Sequence, residues 1–326
     1  ATTTQCYNPK TRSWAFSLLK KFGLPTNFFP PTTEPGTTLG WLRPNLAKET
    51  GLLSAKVVLP GTHDTASAVF AVPTTSSLGE TNWAYISLGT WALMGIESPR
   101  PVVNDVVSKF NFTNEGGVCG TTRILKNICG MWLLQECRRN WRQAGKTNAV
   151  GEPIDWEDMN VLTSNAKAFE TFIDPDAPEF ARPANIPGLI REYARRTNQT
   201  VPESDGAVLR AIVESLALKF RYVLNMCEEI GGTKIETIHV VGGGIKNKLL
   251  MQATADSTGR RVVCGPIEGT GVGNILMQAI GAGDVANVDE AREVVRNSFD
   301  LVEYEPNSQS VALWNEAYGR FLQVIK

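Results

Sequence analysis

The chain of 326 residues is 42% hydrophobic and 20% charged, enough apolar material for one or two domains with substantial cores, which excludes collagenous, coiled-coil and disordered classes. Thirty-two basic against 33 acidic residues leave a net charge of -1, so no global basic field selects nucleic acid, and no uninterrupted apolar stretch is long enough to span a bilayer. The opening ATTTQCYNPKTRSWAF lacks the basic-then-apolar order of a secretory signal. Six dispersed cysteines (Cys6, Cys119, Cys129, Cys137, Cys227, Cys264) without a C-x-x-C pair, and only two histidines, read as buried thiols in a reducing cytoplasm rather than a disulfide scaffold or zinc knuckle.

In chain order, residues 13–23 put Trp14, Leu18 and Phe22 on one helical stripe that stops at Gly23. A Pro- and Gly-rich passage then runs extended to the apolar strand AKVVLPG, after which Thr62 or Asp64 is expected to cap an Ala- and Val-rich helix ended by Pro73. TSSLGETN reads as a linker, and a domain boundary is expected between Pro73 and Trp83. WAYISLGTWALMGIE is two apolar runs folded about Gly89, a hairpin signature. KNICGMWLLQECRRNWRQAG has a helical pattern, and the sequence from there to about Pro187 is irregular and resembles an insertion.

A long helix is expected over Glu203 to Glu229, with Leu209, Ile212, Val213, Leu216 and Phe220 on one stripe and Gly231 and Gly232 as its stop. Strand ETIHVV, turn GGG, helix KNKLLMQATADSTG, strand RRVVCG, a loop and helix GNILMQAIGAG follow. This alternation argues an α/β layer structure with parallel strands. SQSVALWNEAYGRFLQVIK closes the chain as an amphipathic helix.

Four local patterns carry chemistry, and each has a plain alternative. Gly242, Gly243 and Gly244 between a strand and a helix let a flat or anionic ligand touch the backbone, or simply make a tight turn. The letters match neither G-x-G-x-x-G nor a P-loop. Gly89 and Thr90 offer backbone and hydroxyl for phosphate, or an ordinary hairpin turn. Asp64, between His63 and Thr65, is a helix cap or, facing a cleft, a carboxylate able to take the proton of an attacking hydroxyl. Asn127, Met131 and Gln135 at i, i+4 and i+8 of one helix would set two amides about 12 Å apart, touching two ends of one site or merely solvent.

Taken together, THDTASAV (62–69), YISLGTWALMG (85–95), NFTNEGG (111–117), LKNICGMWLLQECRR (125–139), PESD (202–205), IHVVGGGIKNKLLMQATADSTGRRV (238–262) and GPIEGTGVGNILMQAIGAGDV (265–285) resemble the FGGY carbohydrate kinases, in their rhamnulokinase-like branch. The resemblance implies an actin-like ATPase fold of ribonuclease-H-like lobes, with ATP and a ketose meeting between them and Mg²⁺ bridging the phosphates; it names no metal ligand. Asp64 is then the general base. His63, Asp64, Thr65 and Asn127 line the sugar, while Gly89, Thr90, Gln135, Gly242, Gly243, Gly244 and Asn247 hold the nucleotide. The implied reaction is ATP-dependent conversion of L-rhamnulose to L-rhamnulose 1-phosphate, in line, which asks a protein chiefly for positioning and a base near the accepting hydroxyl.

Two departures from the family pattern shape the expectation. The chain begins downstream of where an Asp-x-Gly-Thr-type phosphate hairpin would lie, so residues 1–78 are expected to be the C-terminal remnant of a first lobe and 79–326 a nearly complete second lobe. A first lobe in cis or in trans is then an implied partner, and the chain alone is expected to turn over little. EGTGVGN (268–274) stands where an alanine-bearing turn is usual, so Gly269 and Gly271 are expected to loosen a loop near the nucleotide. The alternatives are a kinase for another deoxyketose or pentulose such as L-fuculose, or a catalytically incomplete nucleotide- or sugar-binding fragment. Neither membrane nor nucleic acid is an expected partner.

Overall fold

Apolar alternation between residues 83 and 129 builds a sheet with two different faces, and the helices from α3 onward that pack on it are arranged by which face they cover. The computed structural model describes residues 1–325. Its elements in order are β1 (Tyr7–Asn8), β2 (Ser13–Trp14), α1 (Phe16–Lys21), β3 (Thr38–Trp41), α2 (Pro44–Thr50), β4 (Lys56–Val58), α3 (Asp64–Phe70), β5 (Trp83–Leu88), β6 (Trp91–Ser98), α4 (Asp105–Lys109), β7 (Thr113–Gly116), β8 (Thr122–Cys129), α5 (Trp132–Gln143) and α6 (Trp156–Asn165). These are followed by α7 (Ile186–Arg196), α8 (Asp205–Gly231), β9 (Thr237–Val241), α9 (Lys248–Thr258), β10 (Arg261–Cys264), α10 (Gly269–Ala282), α11 (Val288–Ser298), β11 (Val302–Tyr304) and α12 (Val311–Val324).

Seven strands form one sheet in the order β11-β10-β9-β5-β6-β8-β7. β5, β6, β8 and β7 pair antiparallel; β9 runs parallel to β5 and to β10. An antiparallel meander flanked by parallel strands is the ribonuclease-H-like arrangement of actin-like ATPases expected above. Ala84, Ile86 and Leu88 face the main core, shared with α5, α7, α8, α9 and α12, whereas Trp83 and Tyr85 face α3. Helix α8 supplies the buried stripe anticipated from its sequence, capped by Ser204 and ended by Gly232 in the left-handed conformation. On the other face α3 and α10 cross closely, with α11 beyond them. No helix among the described residues is long and apolar enough to cross a membrane.

Several local expectations change. Residues 13–14 are strand and only 16–21 are helix, because Tyr7 and Trp14 pair across a two-stranded ribbon. The stretch read as irregular contains α6, whose Asp155 and Asp158 form a reciprocal capping box, and α7, capped by Asn185. EGTGVGN is the first turn and a half of α10 rather than a loose loop: a Cβ on Gly273 would lie 1.9 Å from the Ser67 carbonyl oxygen, so glycine there is a condition of helix contact. Cys129, Cys137, Cys227 and Cys264 are buried free thiols as expected, but Cys6 is half-buried and Cys119 exposed. Burial pushes Cys129 and Cys264 up to about 12, far from a reactive thiolate.

Candidate functional site

The cap of α3 is His63, not Thr62 or Asp64. Its backbone is extended, and Nδ1 accepts the Thr65 N–H at 3.1 Å. Asp64 is already helical, and its Oδ1 accepts the same N–H at 2.7 Å and lies 2.9 Å from His63 Nδ1. One carboxylate oxygen is thus held in place, while the Asp64 side chain remains 76% exposed, open to a ligand. Thr65 is buried; its hydroxyl lies 3.4 Å from Asp64 Oδ1.

The first turn of α10 fixes this corner from the opposite side. Thr270 Oγ1 donates to the Asp64 carbonyl at 3.2 Å, and a Cβ on Gly269 would touch Val241 at 3.2 Å. Val241 leads directly into Gly242 (φ +99°), where a Cβ would lie 2.7 Å from the Leu88 carbonyl. A Cβ on Gly244 would lie 2.3 Å from the Leu88 side chain, whereas Gly243 faces open space. The glycine turn therefore has two jobs: Gly242 and Gly244 permit close approach to the β5–β6 hairpin, and Gly243 alone leaves its backbone exposed.

In the hairpin itself the Gly89 N–H is taken by the Trp91 carbonyl at 2.8 Å. The carbonyls of Gly89 and Thr90 accept from Gly130, Met131 and Trp132, capping the start of α5. What the turn offers outward is the exposed Thr90 side chain and its backbone amide, rather than a run of successive N–H groups.

Asn127 and Gln135 do not share a helix. Asn127 lies on β8, in a row Val241–Ser87–Leu93–Asn127 across four paired strands, so it stands about 14 Å from Val241 at the usual strand spacing. It is exposed on the face that carries α3. Gln135 sits half-buried on α5, which packs with α7 and α8 on the opposite face. The reason is Gly130, where any Cβ would fall 2.5 Å from Trp91: the chain must pass tightly under the hairpin there, ending the strand and starting the helix at Trp132, six residues later than the letters suggest. Asn247 caps α9, its Oδ1 accepting from Leu250 N–H at 2.9 Å.

Asp64, His63, the α10 start, Gly242–Gly243 and Asn127 thus gather at one end and one face of the sheet. Cavities of about 240 Å³, bordered by Thr62 and His63, and about 410 Å³, bordered by Asn127, open there. Thr270 and Gly269 were missed as part of this corner; their signal was the G-x-G-x-G spacing of EGTGVGN, which alone does not tell a loop from a tightly packed helix start. Gly243 fits a flat or anionic group against bare backbone. Among the described residues no group of three or more His, Cys, Asp or Glu is placed to hold a metal ion.

Residues 84–282 match the model of the FGGY family of carbohydrate kinases, C-terminal domain. Over 326 residues the chain is 41% identical to a protein named rhamnulokinase from Bacteroides thetaiotaomicron, covering 100% of the chain and 64% of that protein. It is 38% identical over 304 residues to a rhamnulokinase of Bacillus subtilis, covering 93% and 60%. Solved structures share the fold at low identity: ligand-bound xylulose kinase from Lactobacillus acidophilus (TM-score 0.71, 14% identity, 98% of this chain and 61% of that one) and Plasmodium falciparum glycerol kinase with ADP (0.69, 13%, 98% and 62%). The chain spans about 60% of the length of the curated relatives it matches.

Proposed function

The chain belongs to the FGGY family of carbohydrate kinases, and from that premise we propose that it takes part in ATP-dependent phosphorylation of L-rhamnulose at its primary hydroxyl, giving L-rhamnulose 1-phosphate. The observation that carries the reading is Asp64: an exposed carboxylate, one oxygen pinned by the Thr65 N–H, at a helix start wedged against the first turn of α10. The choice of ketose rests on the relatives named rhamnulokinase.

In this reading Oδ1 of Asp64 fixes the carboxylate's direction and Oδ2 takes the proton of the sugar's primary hydroxyl as that oxygen attacks phosphorus. His63 and Asn127 hydrogen-bond sugar hydroxyls from two sides, and Thr65 acts through the Asp64 carboxylate it steadies. Gly89, Thr90, Gln135, Gly242, Gly243, Gly244 and Asn247 form the nucleotide side, with Gly243 and Thr90 the points most open to it. ATP, when bound with Mg²⁺, supplies the transferable phosphoryl group. Residues 1–78 are the tail of a first lobe and 79–326 the second lobe; α3, the last helix of the first segment, carries Asp64 onto the second. The exposed apolar side chains of residues 1–60 pack against the remainder of a first lobe, supplied in cis or in trans.

The test is an ADP-release assay across L-rhamnulose, L-fuculose, xylulose and glycerol, with the product's phosphate located by ³¹P NMR, on the chain alone and with a first lobe supplied. L-Rhamnulose is expected to be fastest, with a C1 monoester and little turnover by the chain alone. Preference for another acceptor would overturn the substrate assignment, and robust turnover by the chain alone would overturn the division of the site between lobes.

A further inference from the structure

Trp91 opens β6 directly after Thr90 and has no part in the chemistry described so far. Its backbone is closely held. The Trp91 carbonyl accepts the Gly89 N–H at 2.8 Å, and a Cβ on Gly130 would lie 2.5 Å from the Trp91 carbonyl carbon. The start of α5 clamps the same turn, with Gly130, Met131 and Trp132 donating to the carbonyls of Gly89 and Thr90. Above this fixed backbone the residue stays 56% exposed. A single exposed apolar side chain is ordinary on any protein surface. An aromatic ring carried on so constrained a stretch is a ready contact surface that loses little conformational freedom when a ligand settles on it.

Its place singles it out further. Trp91 lies two residues before Leu93 on the same face of β6, and Leu93 pairs with Asn127. The indole is therefore the diagonal neighbour of the Asn127 amide, about 7–8 Å away between backbones and within reach of a large ring. Trp91 and Asn127 border one cavity of about 310 Å³, whose remaining wall includes Lys126, Trp132, Asp176 and Phe180. Most of these groups are already engaged. Lys126 donates to the Phe110 carbonyl at 2.8 Å, Asp176 accepts the Cys129 N–H at 2.7 Å and pairs with Lys219, and the Trp132 indole N–H donates to the Phe180 carbonyl at 2.9 Å. What remains open is an exposed ring beside an exposed amide.

We propose that Trp91 is the platform on which the acceptor sugar lies: the indole takes a C–H-bearing face of the ketose while Asn127 hydrogen-bonds a hydroxyl at its rim. The inference rests on the ketose-kinase reading, and deepens it by naming the surface that orients the sugar. Hydroxyl groups project around the edge of a sugar, whereas its carbon-bound hydrogens gather on a face. An aromatic ring covers that face without stripping water from the hydroxyls, and its electron-rich π surface attracts the slightly positive hydrogens. The adenine of a nucleotide is the competing occupant, because Thr90 is adjacent. The cavity favours the sugar, since Asn127 borders it and none of Gly242, Gly243, Gly244, Gln135 and Asn247 does.

Steady-state phosphorylation of L-rhamnulose, with a first lobe supplied, is compared for the unaltered chain, Trp91→Ala, Trp91→Phe and Asn127→Ala, beside calorimetric titration with L-rhamnulose and with a non-hydrolysable ATP analogue. Trp91→Ala is expected to raise KM and Kd for L-rhamnulose about 10-fold, the effect of withdrawing about 60 Å² of apolar contact, with kcat within a few-fold and the ATP analogue bound as before. Trp91→Phe keeps an aromatic face and most of the affinity. It also removes most of the change in tryptophan emission that L-rhamnulose produces in the unaltered protein, a signature that a merely structural role would not give. If Asn127→Ala weakens sugar binding while Trp91→Ala does not, the platform is refuted and the sugar site stands. Loss of ATP-analogue binding in Trp91→Ala with L-rhamnulose unaffected assigns the ring to the nucleotide and overturns the inference. If the unaltered protein with its first lobe neither binds nor phosphorylates L-rhamnulose, the ketose-kinase reading itself fails, and the inference with it.

Discussion

Within residues 1–60 only Leu19 and Ala47 are buried hydrophobics, while eleven large apolar side chains from Phe16 to Val57 stand exposed; the rest of the chain, more than four times as long, exposes fourteen. The elements differ in the same sense. The first region consists of two-stranded ribbons and helices of six or seven residues, none able to bury an apolar face by itself. From β5 onward a seven-stranded sheet is covered on both faces. Stability is thus local to the sheet region, whereas the first region depends on what it docks against; α3 with Asp64, which follows it, is docked on the sheet.

The buried pair Arg292–Glu97 ties α11 to β6 at 2.9 Å with both side chains about 1–2% exposed, so its loss should weigh most on the sheet region. Arg292→Met strands the carboxylate beneath α11 and is expected to cost about 3–5 kcal/mol in chemical denaturation; adding Glu97→Met is expected to recover much of it. Gly273→Ala comes next, at about 3 kcal/mol, since the added methyl must push α10 off the Ser67 carbonyl. A melting temperature unchanged by Gly273→Ala would mean that α3 is not held as described.

A smaller effect is read through pH. Burial, with Arg292 and Arg261 nearby, lowers His239 to about 3. The unfolded chain then binds a proton below about 6.5 that the folded protein refuses, so stability is fully present above about pH 6.5 and falls as the pH drops toward 3. Denaturation midpoints between pH 7.5 and 4.5 should decline less steeply in His239→Gln than in the unaltered chain; equal slopes would show that this histidine is not buried neutral. The smallest effect is predicted in the first region, where Phe22→Ser, at a site 73% exposed, is expected to shift stability by less than about 0.5 kcal/mol.

How much of this was legible in the letters depended on whether the deciding force was local. The stripe of α8 and the β5–β6 hairpin declared themselves because burial period and turn residues agreed along one segment. Asn127 was misplaced because ILKNICGMWLL suits helix or strand, and pairing with β6 plus the close passage of Gly130 decide it from a distance. The start of α10 was hidden for a related reason: three glycines weaken a helix locally by about 1 kcal/mol each, yet contact with Ser67 and Val241 demands small residues there. His63 as cap escaped notice because Ser, Thr, Asp and Asn are the usual caps. The ties of Thr2 to Gly116 and of Arg12 to Gly120 join residues more than a hundred positions apart and carry no local signature.

Whether Asp64 takes the proton of the sugar hydroxyl is read from single-turnover phosphorylation of L-rhamnulose by Asp64→Asn, with a first lobe supplied, beside sugar and ATP-analogue binding to the same protein. The rate is expected to fall by about 10²–10⁴ with binding changed only a few-fold, because the amide keeps the carboxylate's shape and loses its basicity. A rate within a few-fold of the unaltered enzyme would contradict it and leave Asp64 as the first residue of a helix and nothing more.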